Sequence, residues 1–266
     1  MIDLKIIINC GPCESFIADC LRSLKQQTYS EWEAFVTIDP WGDKTFDQAM
    51  QAREDDPRIK IEQNAVRQYS MHNLVRGIER SGANFEDVIV VLDGDDWLAT
   101  KDALRIIAAA YEESDCWMTY GSWVTNKAGP NGRFGGMWPA YPPETTDFRH
   151  SPWLGTAVRT WKKWLWDHIA DRDLRDDSGR YLRVSEDQAV MLPLLEMCGA
   201  AKARHIATQL MVYNKITPYA TAQTMTDEIA RNSRLLECKP PYPRLLQKTY
   251  KSQNQRSDSK LGMAVC

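Results

Sequence analysis

The sequence lacks any long apolar run. No stretch approaches the roughly 20 consecutive apolar residues that a membrane-spanning helix needs, although apolar residues make up 43% of the 266 positions. The N-terminus has no basic segment followed by an apolar one, so we expect no signal peptide. This composition can bury a substantial core. We expect a cytoplasmic protein without a transmembrane segment, either free or at the membrane periphery.

The chain also lacks a disulfide framework and a strong basic bias. Seven cysteines are an odd number without framework spacing, which favours a reducing compartment. The net charge of −3 is unlike that of a dedicated nucleic-acid-binding domain. Only the end is basic, with six Lys or Arg and one Asp from Lys239 onward. We expect residues 238–266 to form a flexible tail that can contact an anionic acceptor: a membrane surface, an anionic polysaccharide or DNA bearing modified bases.

Apolar strand patterns alternate with helical patterns through the first half of the chain. Strands are predicted at 4–9, 32–38, 59–61, 87–92 and 117–121, and helices at 14–26, from 45 onward, at 71–80 and at 101–113. This alternation is typical of an α/β fold with a mostly parallel sheet flanked by helices. Parallel sheets bind ligands at the carboxyl ends of their strands. The loops after Asn9, Ile38 and Leu92 are therefore the expected site.

The second half has a different pattern. Residues 126–148 are rich in Gly and Pro and predict a long loop. Helices are predicted at 160–169 and at 185–197, where Pro193 should kink the helix, and a last strand at 209–213. We therefore expect one domain made of two halves, residues 1–125 and an α+β half at 126–237.

Three carboxylates follow a fully apolar strand, at Asp93, Asp95 and Asp96. They repel one another unless a cation or hydrogen-bond donors offset their charge. Mg²⁺ and Mn²⁺ prefer oxygen ligands and often bind one or two carboxylates together with substrate phosphates, and Gly94 allows a tight turn. The alternative interpretation is a polar turn with solvated aspartates.

Further acidic residues stand at the starts of other loops. Asp39 ends the second strand, where it can accept a hydrogen bond from a nucleotide base or simply begin the turn before Pro40. Glu186 and Asp187 follow Ser185, which has capping-box spacing to Gln188. They can serve the helix dipole or supply a general base, and both interpretations can hold together.

Cys10-Gly11-Pro12-Cys13 has the spacing of a redox dithiol. The strand before it is the first element of the chain, so the upstream unit of a thioredoxin-like fold is missing, and such a fold leaves the aspartates unexplained. The cysteines are interpreted as loop residues without a redox role, with a regulatory disulfide as the alternative.

Three local patterns resemble the family 2 glycosyltransferases of the GT-A fold. Residues 23–33 (SLKQQTYSEWE) resemble the family's SLxxQTYxxWE, residues 91–98 (VLDGDDWL) resemble its DxD motif, and residues 185–188 (SEDQ) stand where the family has its ED motif. The resemblance covers residues 3–125 well and 150–220 loosely. It implies an inverting transferase with a nucleotide-sugar donor, a UDP-sugar by expectation, a divalent metal (Mn²⁺ or Mg²⁺), and a glycan or glycoconjugate acceptor.

The resemblance also implies roles for individual residues. Asp187, with Glu186 beside it, would be the catalytic base. The metal would be held by Asp95, with Asp93 and Asp96. Donor binding would involve Cys10, Gly11, Glu14, Asp39, Trp41, Asn73, Asp93 and Gly94. On the acceptor side we expect Trp153, Trp161 and Gln188.

The chain departs from the family pattern at several positions. Gly11 replaces the aromatic that stacks on the base, and Trp41 is the proposed substitute. His72 stands where the family has Arg, and Tyr213-Asn214-Lys215 lacks the late His that often completes the metal shell. Trp161 belongs to a run of Trp and Lys that either lines an acceptor groove or packs into the core. The rival functions are a phosphotransferase, a non-catalytic nucleotide-sugar-binding protein and a thiol-disulfide oxidoreductase.

Overall fold

The computed structural model describes residues 1–129, 134–217 and 224–250, which fold into one mixed sheet with helices on both faces. The strands are β1 Leu4–Cys10, β2 Trp32–Ile38, β3 Ile59–Gln63, β4 Val88–Asp93, β5 Trp97–Leu98, β6 Met118–Thr125, β7 Arg159–Lys162 and β8 Ala203–Tyr213. The α-helices are α1 Ile17–Lys25, α2 Thr45–Arg53, α3 Tyr69–Ser81, α4 Ala103–Glu113, α5 Lys163–Trp166, α6 Glu186–Cys198 and α7 Thr226–Cys238.

The sheet has the order β3-β2-β1-β4-β7-β6-β8-β5. Its first four strands run parallel, and β6 is parallel to β8, whereas β7 is antiparallel to both β4 and β6 and β5 is antiparallel to β8. The parallel part confirms the α/β prediction, and the second half is mixed. The antiparallel β7 is the element that brings the second half of the chain beside β4.

Two apolar cores cover the two faces of the sheet. Side chains alternate along β1, so Ile6 and Ile8 pack with α1 and α4 while Ile7 packs with α3 and the helices of the second half. Gly77 lets α3 approach closely, because a Cβ there would collide with Ile7. Burial on both faces is why β1, β2 and β4 are rich in apolar residues.

The predicted helix at 160–169 is wrong in its first part. Residues 159–162 form β7, and only Lys163–Trp166 is helical. Trp161 pairs with Ile89 across the sheet and is 1% exposed. It therefore belongs to the core, and its predicted place in an acceptor groove is wrong, because β7 is an interior strand with both faces covered.

Other local predictions fare differently. The helix at 185–197 is confirmed as α6, with Pro193 inside it, but Ser185 does not cap it: its φ is +65° and its hydroxyl has no hydrogen-bond partner. The helix predicted from residue 45 onward is confirmed as α2, which begins at Thr45. The Gly- and Pro-rich loop is confirmed over its described residues, where a single bridge joins Trp123 and Gly136.

The tail is not free over its first part. The backbone N–H of Leu245 donates a hydrogen bond to the carbonyl of Met197, and the Tyr242 hydroxyl donates one to the carboxylate of Asp173. Tyr250 stacks on Phe85 with 3.8 Å between the ring centroids. These contacts attach residues 239–250 to α6 and its surroundings, and the flexibility of the tail stays a prediction. Residues 251–266 of the predicted tail lie outside the described residues.

A buried ion pair anchors the same region. Arg149 donates to both carboxylate oxygens of Glu196 at 2.6 and 2.9 Å, and to the carbonyl of Leu236 at the end of α7. Glu196 also accepts the backbone N–H of Tyr242. This network ties α6, α7 and the tail together. No helix among the described residues has the length and apolar character to cross a bilayer.

Candidate functional site

Two clefts open at the carboxyl ends of the parallel strands. The first cleft encloses about 980 Å³ including its solvent-open part, a size within the range of small-molecule sites. Its lining residues are Asn9, Cys10, Gly11, Pro12, Cys13, Asp39, Trp41, Arg67, Tyr69, Ser70, Asn73, Asp93, Asp95, Arg183, Glu186, Tyr213, Asn214 and Thr217. The structure thus brings together the loops after β1, β2 and β4, as the sequence predicts.

The second cleft lies on the β7 side of the same acidic turn. It is lined by Val91, Asp93, Asp96, Trp123, Trp153, Thr156, Ala157, Arg159, Val184, Ser185, Glu186, Asp187, Gln188, Met211, Tyr213 and Ile229. Asp93, Glu186 and Tyr213 line both clefts. A molecule in one cleft can therefore meet a molecule in the other at these three side chains.

The acidic turn holds its carboxylates away from bulk water, with Asp96 buried and Asp93 and Asp95 half-buried. Burial raises the pKa of Asp93 to about 6, against the attraction of Arg159. Burial also raises the pKa of Asp95, and raises that of Asp96 well above its usual range. Burial and then the nearby Asp187 raise the pKa of Glu186 to about 7. The ionised form of this cluster is costly without an added cation.

The turn rests directly on the two N-terminal cysteines. A Cβ built on Gly94 would fall within 3.0 Å of Cys10 Sγ and at 3.1 Å from Cys13 Sγ. Glycine is required here by this close approach. The cysteines therefore act as the packing surface beneath the acidic turn.

These thiols do not have the properties of a redox pair. Cys10 is 1% exposed and Cys13 3%, and the hydrogen bond between them together with burial raises the pKa of Cys10 well above its usual range. Reactive cysteines are accessible and have lowered pKa values. The environment thus argues against a dithiol oxidoreductase.

Asp39 fastens the loop that closes one side of the first cleft. Its carboxylate accepts the backbone N–H groups of Gln68 and Tyr69 at 2.9 and 2.8 Å, and the amide of Asn64 at 2.9 Å. Asn64 in turn donates to Asn73 at 2.7 Å. Asp39 therefore holds this loop in addition to lining the cleft.

An alternating stack of rings and guanidinium groups forms the outer wall of the first cleft. Arg67 lies 3.9 Å from the ring centroid of Trp41 and 4.2 Å from that of Tyr69, and Arg183 lies 4.1 Å from the Tyr69 ring. Cations over aromatic faces are favourable. The wall offers flat faces and positive charge to a ligand.

Asp187 and Arg159 are oppositely charged neighbours in the lining of the second cleft. Asp187 Oδ2 lies 3.6 Å from Arg159 Nη1, and its side chain is 35% exposed. Glu186 instead accepts a hydrogen bond from Ser70 at 2.9 Å. Of the two acids at the start of α6, Asp187 lines only the second cleft while Glu186 lines both.

The donor set fits a hard divalent cation held by few protein ligands. Among the described residues, no three His, Cys, Asp or Glu side chains form a ready-made metal centre. Mg²⁺ commonly binds through one or two carboxylates together with phosphates and water. Asp93 and Asp95 both line the first cleft, whereas Asp96 accepts the backbone N–H of Asn214 at 2.8 Å and lines only the second.

Asn214 offers no ligand in place of the missing His. Its Oδ1 accepts hydrogen bonds from Asn126 Nδ2 and from the backbone N–H of Ile216, both at 2.8 Å. Its buried Nδ2 has no hydrogen-bond partner within the described part of the chain. The loop after β8 therefore presents a donor to the first cleft, and a cation would depend on Asp93, Asp95 and its own ligands.

Three predicted site residues lie outside both clefts. Glu14 is exposed and accepts the backbone N–H of Lys44, Gly94 is buried under the turn, and Trp161 is in the core. The other predicted residues line one or both clefts.

Several lining residues were not predicted. Arg159 was missed because its segment was interpreted as the approach to a helix. Arg67, Tyr69 and Ser70 were missed because no motif marks them. Their position between the third strand and the next helix could have indicated them, because such loops lie at the ligand-binding edge of a parallel sheet.

Comparison with known proteins agrees with this architecture. A model described as Glycosyl transferase family 2 matches residues 6–167. No curated protein matches the chain. The matched residues contain most of β1, the acidic turn and β7, and they include most of the lining of the first cleft and part of the lining of the second.

Solved structures share the fold at low identity. S. aureus TarS residues 1–349 in complex with UDP-GlcNAc has a TM-score of 0.64 at 17% identity, over 88% of this chain and 66% of that one. The mannosyltransferase PcManGT from Pyrobaculum calidifontis, in complex with GDP-Man and Mn²⁺, has a TM-score of 0.59 at 15% identity, over 90% of this chain and 65% of that one. The chain thus spans about two thirds of the length of these structures.

Proposed function

The chain belongs to glycosyl transferase family 2, and from this premise we propose that it transfers a sugar from a nucleotide-sugar donor in the first cleft to a hydroxyl group of an acceptor in the second cleft. The observation that carries the proposal is the meeting of the two clefts at Asp93, Glu186 and Tyr213. A transferase needs two adjoining sites whose reacting atoms come within contact distance. A one-substrate binding protein has no need of the second.

Asp187 is the proposed general base. It borders only the second cleft, where it would take the proton of the acceptor hydroxyl as that oxygen bonds to the anomeric carbon and the bond to the diphosphate breaks. Arg159 Nη1 lies 3.6 Å from Asp187 Oδ2 and can orient this carboxylate toward the acceptor. Attack from the side opposite the leaving diphosphate inverts the anomeric centre.

Asp93 and Asp95 are the proposed ligands of Mn²⁺ or Mg²⁺, and Asp96 is the proposed anchor of the Asn214 loop. When bound, the cation would neutralise charge on the diphosphate. Support comes from the position of both carboxylates in the lining of the first cleft, from their raised pKa values and from the Mn²⁺ in the PcManGT structure. The donor is proposed to be a UDP-sugar, as in the TarS complex.

The acceptor is proposed to be a glycan or glycoconjugate. Trp123 and Trp153 line the second cleft together with Gln188. Gly155 lies against the Trp153 ring, since a Cβ there would approach the ring to 2.9 Å. Indole faces bury the apolar face of a sugar ring, and Gln188 can bond to its hydroxyl groups. An anionic acceptor contacted through the basic tail, such as DNA or a membrane surface, stays a prediction.

The test is Asp187→Asn. If Asp187 is the base, the variant binds the donor as tightly as the wild type while transfer falls by roughly 10²–10⁴-fold. Donor binding is measured by calorimetry and transfer by release of the nucleoside diphosphate in the presence of a glycan acceptor panel. Equal turnover by both proteins would refute the assignment, and absence of turnover in the wild type with every donor would favour a binding protein.

A further inference from the structure

Asn9 has a buried side chain that the fold leaves without a hydrogen bond. It is 7% exposed, and neither Oδ1 nor Nδ2 has a hydrogen-bond partner among the residues that the structure describes. A buried donor and a buried acceptor left unpaired are both unfavourable. The backbone explains the position but not the residue type, because an apolar side chain at the end of β1 would avoid this cost.

The side chain lies where a ligand can reach it. Asn9 lines the first cleft. In the sheet it pairs with Thr37 on one side and Asp93 on the other, so the side chains of these three residues share one face of the sheet. Ile7, two residues earlier, packs in the core on that face. Asn9 is thus the first polar position beyond the core, next to Asp93.

The two unpaired atoms define the chemistry of their partner. Nδ2 needs an acceptor and Oδ1 needs a donor. A diphosphate oxygen only accepts, so it would leave Oδ1 unpaired. A hydroxyl group both donates and accepts, and one carboxylate oxygen of the neighbouring Asp93 can accept a hydrogen bond from a second hydroxyl group. A vicinal diol satisfies both side chains.

We propose that Asn9, together with Asp93, binds a vicinal diol of the donor and so fixes the position of the donor in the first cleft. This inference rests on the proposed function. The diol belongs either to the ribose of the nucleotide or to the transferred sugar, which present the same chemistry. Asn9 is accordingly a residue that selects and orients the donor.

The variant that tests this is Asn9→Leu, which keeps the approximate shape and removes both hydrogen-bonding groups. Because the unpaired groups disappear, the ligand-free variant should unfold at the same or a higher temperature than the wild type. Donor affinity should fall about tenfold or more, since two hydrogen bonds are lost. Asn9→Ala serves as the second variant, because it removes the same two groups without introducing a larger side chain that could disturb β1. It should show the same loss of donor affinity.

Ser122→Ala is the matched control. Ser122 on β6 also has a buried hydroxyl without a partner, is 1% exposed and lines neither cleft. Its replacement should leave donor affinity unchanged. A loss of affinity in both Asn9 variants but not in this control ties the effect to the cleft.

The probes are UDP and GDP, the 2′-deoxy form of whichever binds, and the corresponding nucleotide sugars, each with Mn²⁺ and measured by calorimetry. If the contact is to the ribose, Asn9→Leu should weaken binding of the nucleoside diphosphate, and the 2′-deoxy form should bind weakly to both the wild type and the variant. A sugar contact predicts a loss only with the nucleotide sugar.

Wild-type binding with unchanged affinity in Asn9→Leu and Asn9→Ala overturns this inference and leaves the proposed function intact. Absence of binding of every probe to the wild type overturns both.

Discussion

Gly94→Ala should destabilise the protein through a collision that the structure locates. The added Cβ would come within 3.0 Å of Cys10 Sγ and to 3.1 Å from Cys13 Sγ. Both thiols are buried, so neither can move into solvent. Forcing an extra methyl group into a packed site costs about 1–3 kcal/mol, and we expect a loss in this range.

The collision can be relieved in a defined way. Cys10→Ala removes the atom that approaches closest, so the double variant Gly94→Ala/Cys10→Ala should lose less stability than the sum of the single variants, by about 1 kcal/mol or more. Cys13→Ala is the matched control and should rescue less, because its sulfur lies farther from the new Cβ.

The assay is guanidinium-induced unfolding of the wild type, Gly94→Ala, Cys10→Ala and their double variant. The control set is Cys13→Ala and Gly94→Ala/Cys13→Ala. Donor binding with Mn²⁺ should weaken in Gly94→Ala and recover in the double variant, because the turn carries Asp93 and Asp95. Additivity of the two changes within about 0.5 kcal/mol, or a Gly94→Ala protein as stable as the wild type, would refute the packing argument.

Two further predictions concern buried groups. Cys10→Ser/Cys13→Ser should retain donor binding, and mapping of thiol labels by mass spectrometry should find both cysteines unreactive in the native wild type; rapid labelling at either one would revive a redox role. Arg149→Met should cost about 3–5 kcal/mol in free energy of unfolding, because it leaves the Glu196 carboxylate buried without its partner, whereas Arg149→Met/Glu196→Leu should cost much less. A single-variant loss below about 1 kcal/mol would mean that the pair does not anchor α6 as described.

The parallel part of the fold could be predicted because its signals are local. Strands buried on both faces are rich in apolar residues, as in 4–9 and 87–92, and the carboxyl ends of parallel strands share one edge of the sheet. That topology was enough to bring Asp39 and Asp93 to one cleft. The order of strands and loops along the chain was therefore enough to predict most of the residues that line the first cleft.

The second half depended on long-range pairing that no local pattern reveals. The run containing Trp161 has the apolar spacing of a helix, yet antiparallel pairing with β4 makes it a strand. Arg159 became a site residue by the same pairing, which places it beside Val91. Tertiary contacts override local propensity at such positions.

Side-chain details of the site also lay beyond the sequence. Capping-box spacing at Ser185 suggested a capped helix, but the residue adopts a positive φ and its hydroxyl is unpaired. Asp39 was interpreted as a base contact or a turn residue, and in the structure it holds the backbone of Gln68 and Tyr69. Which oxygen meets which donor is decided by loops whose positions are set only in the folded chain.

The most direct test of the central claim is a thermal-shift panel of UDP- and GDP-sugars with Mn²⁺ and with EDTA, run on the wild type and on Asp95→Asn. The account predicts that at least one donor stabilises the wild type in Mn²⁺, since a ligand that binds only the native state raises its stability. The shift should disappear in EDTA and in the variant. Absence of a shift with any donor, or an equal shift in EDTA and in Asp95→Asn, would contradict a metal-dependent nucleotide-sugar site in the first cleft.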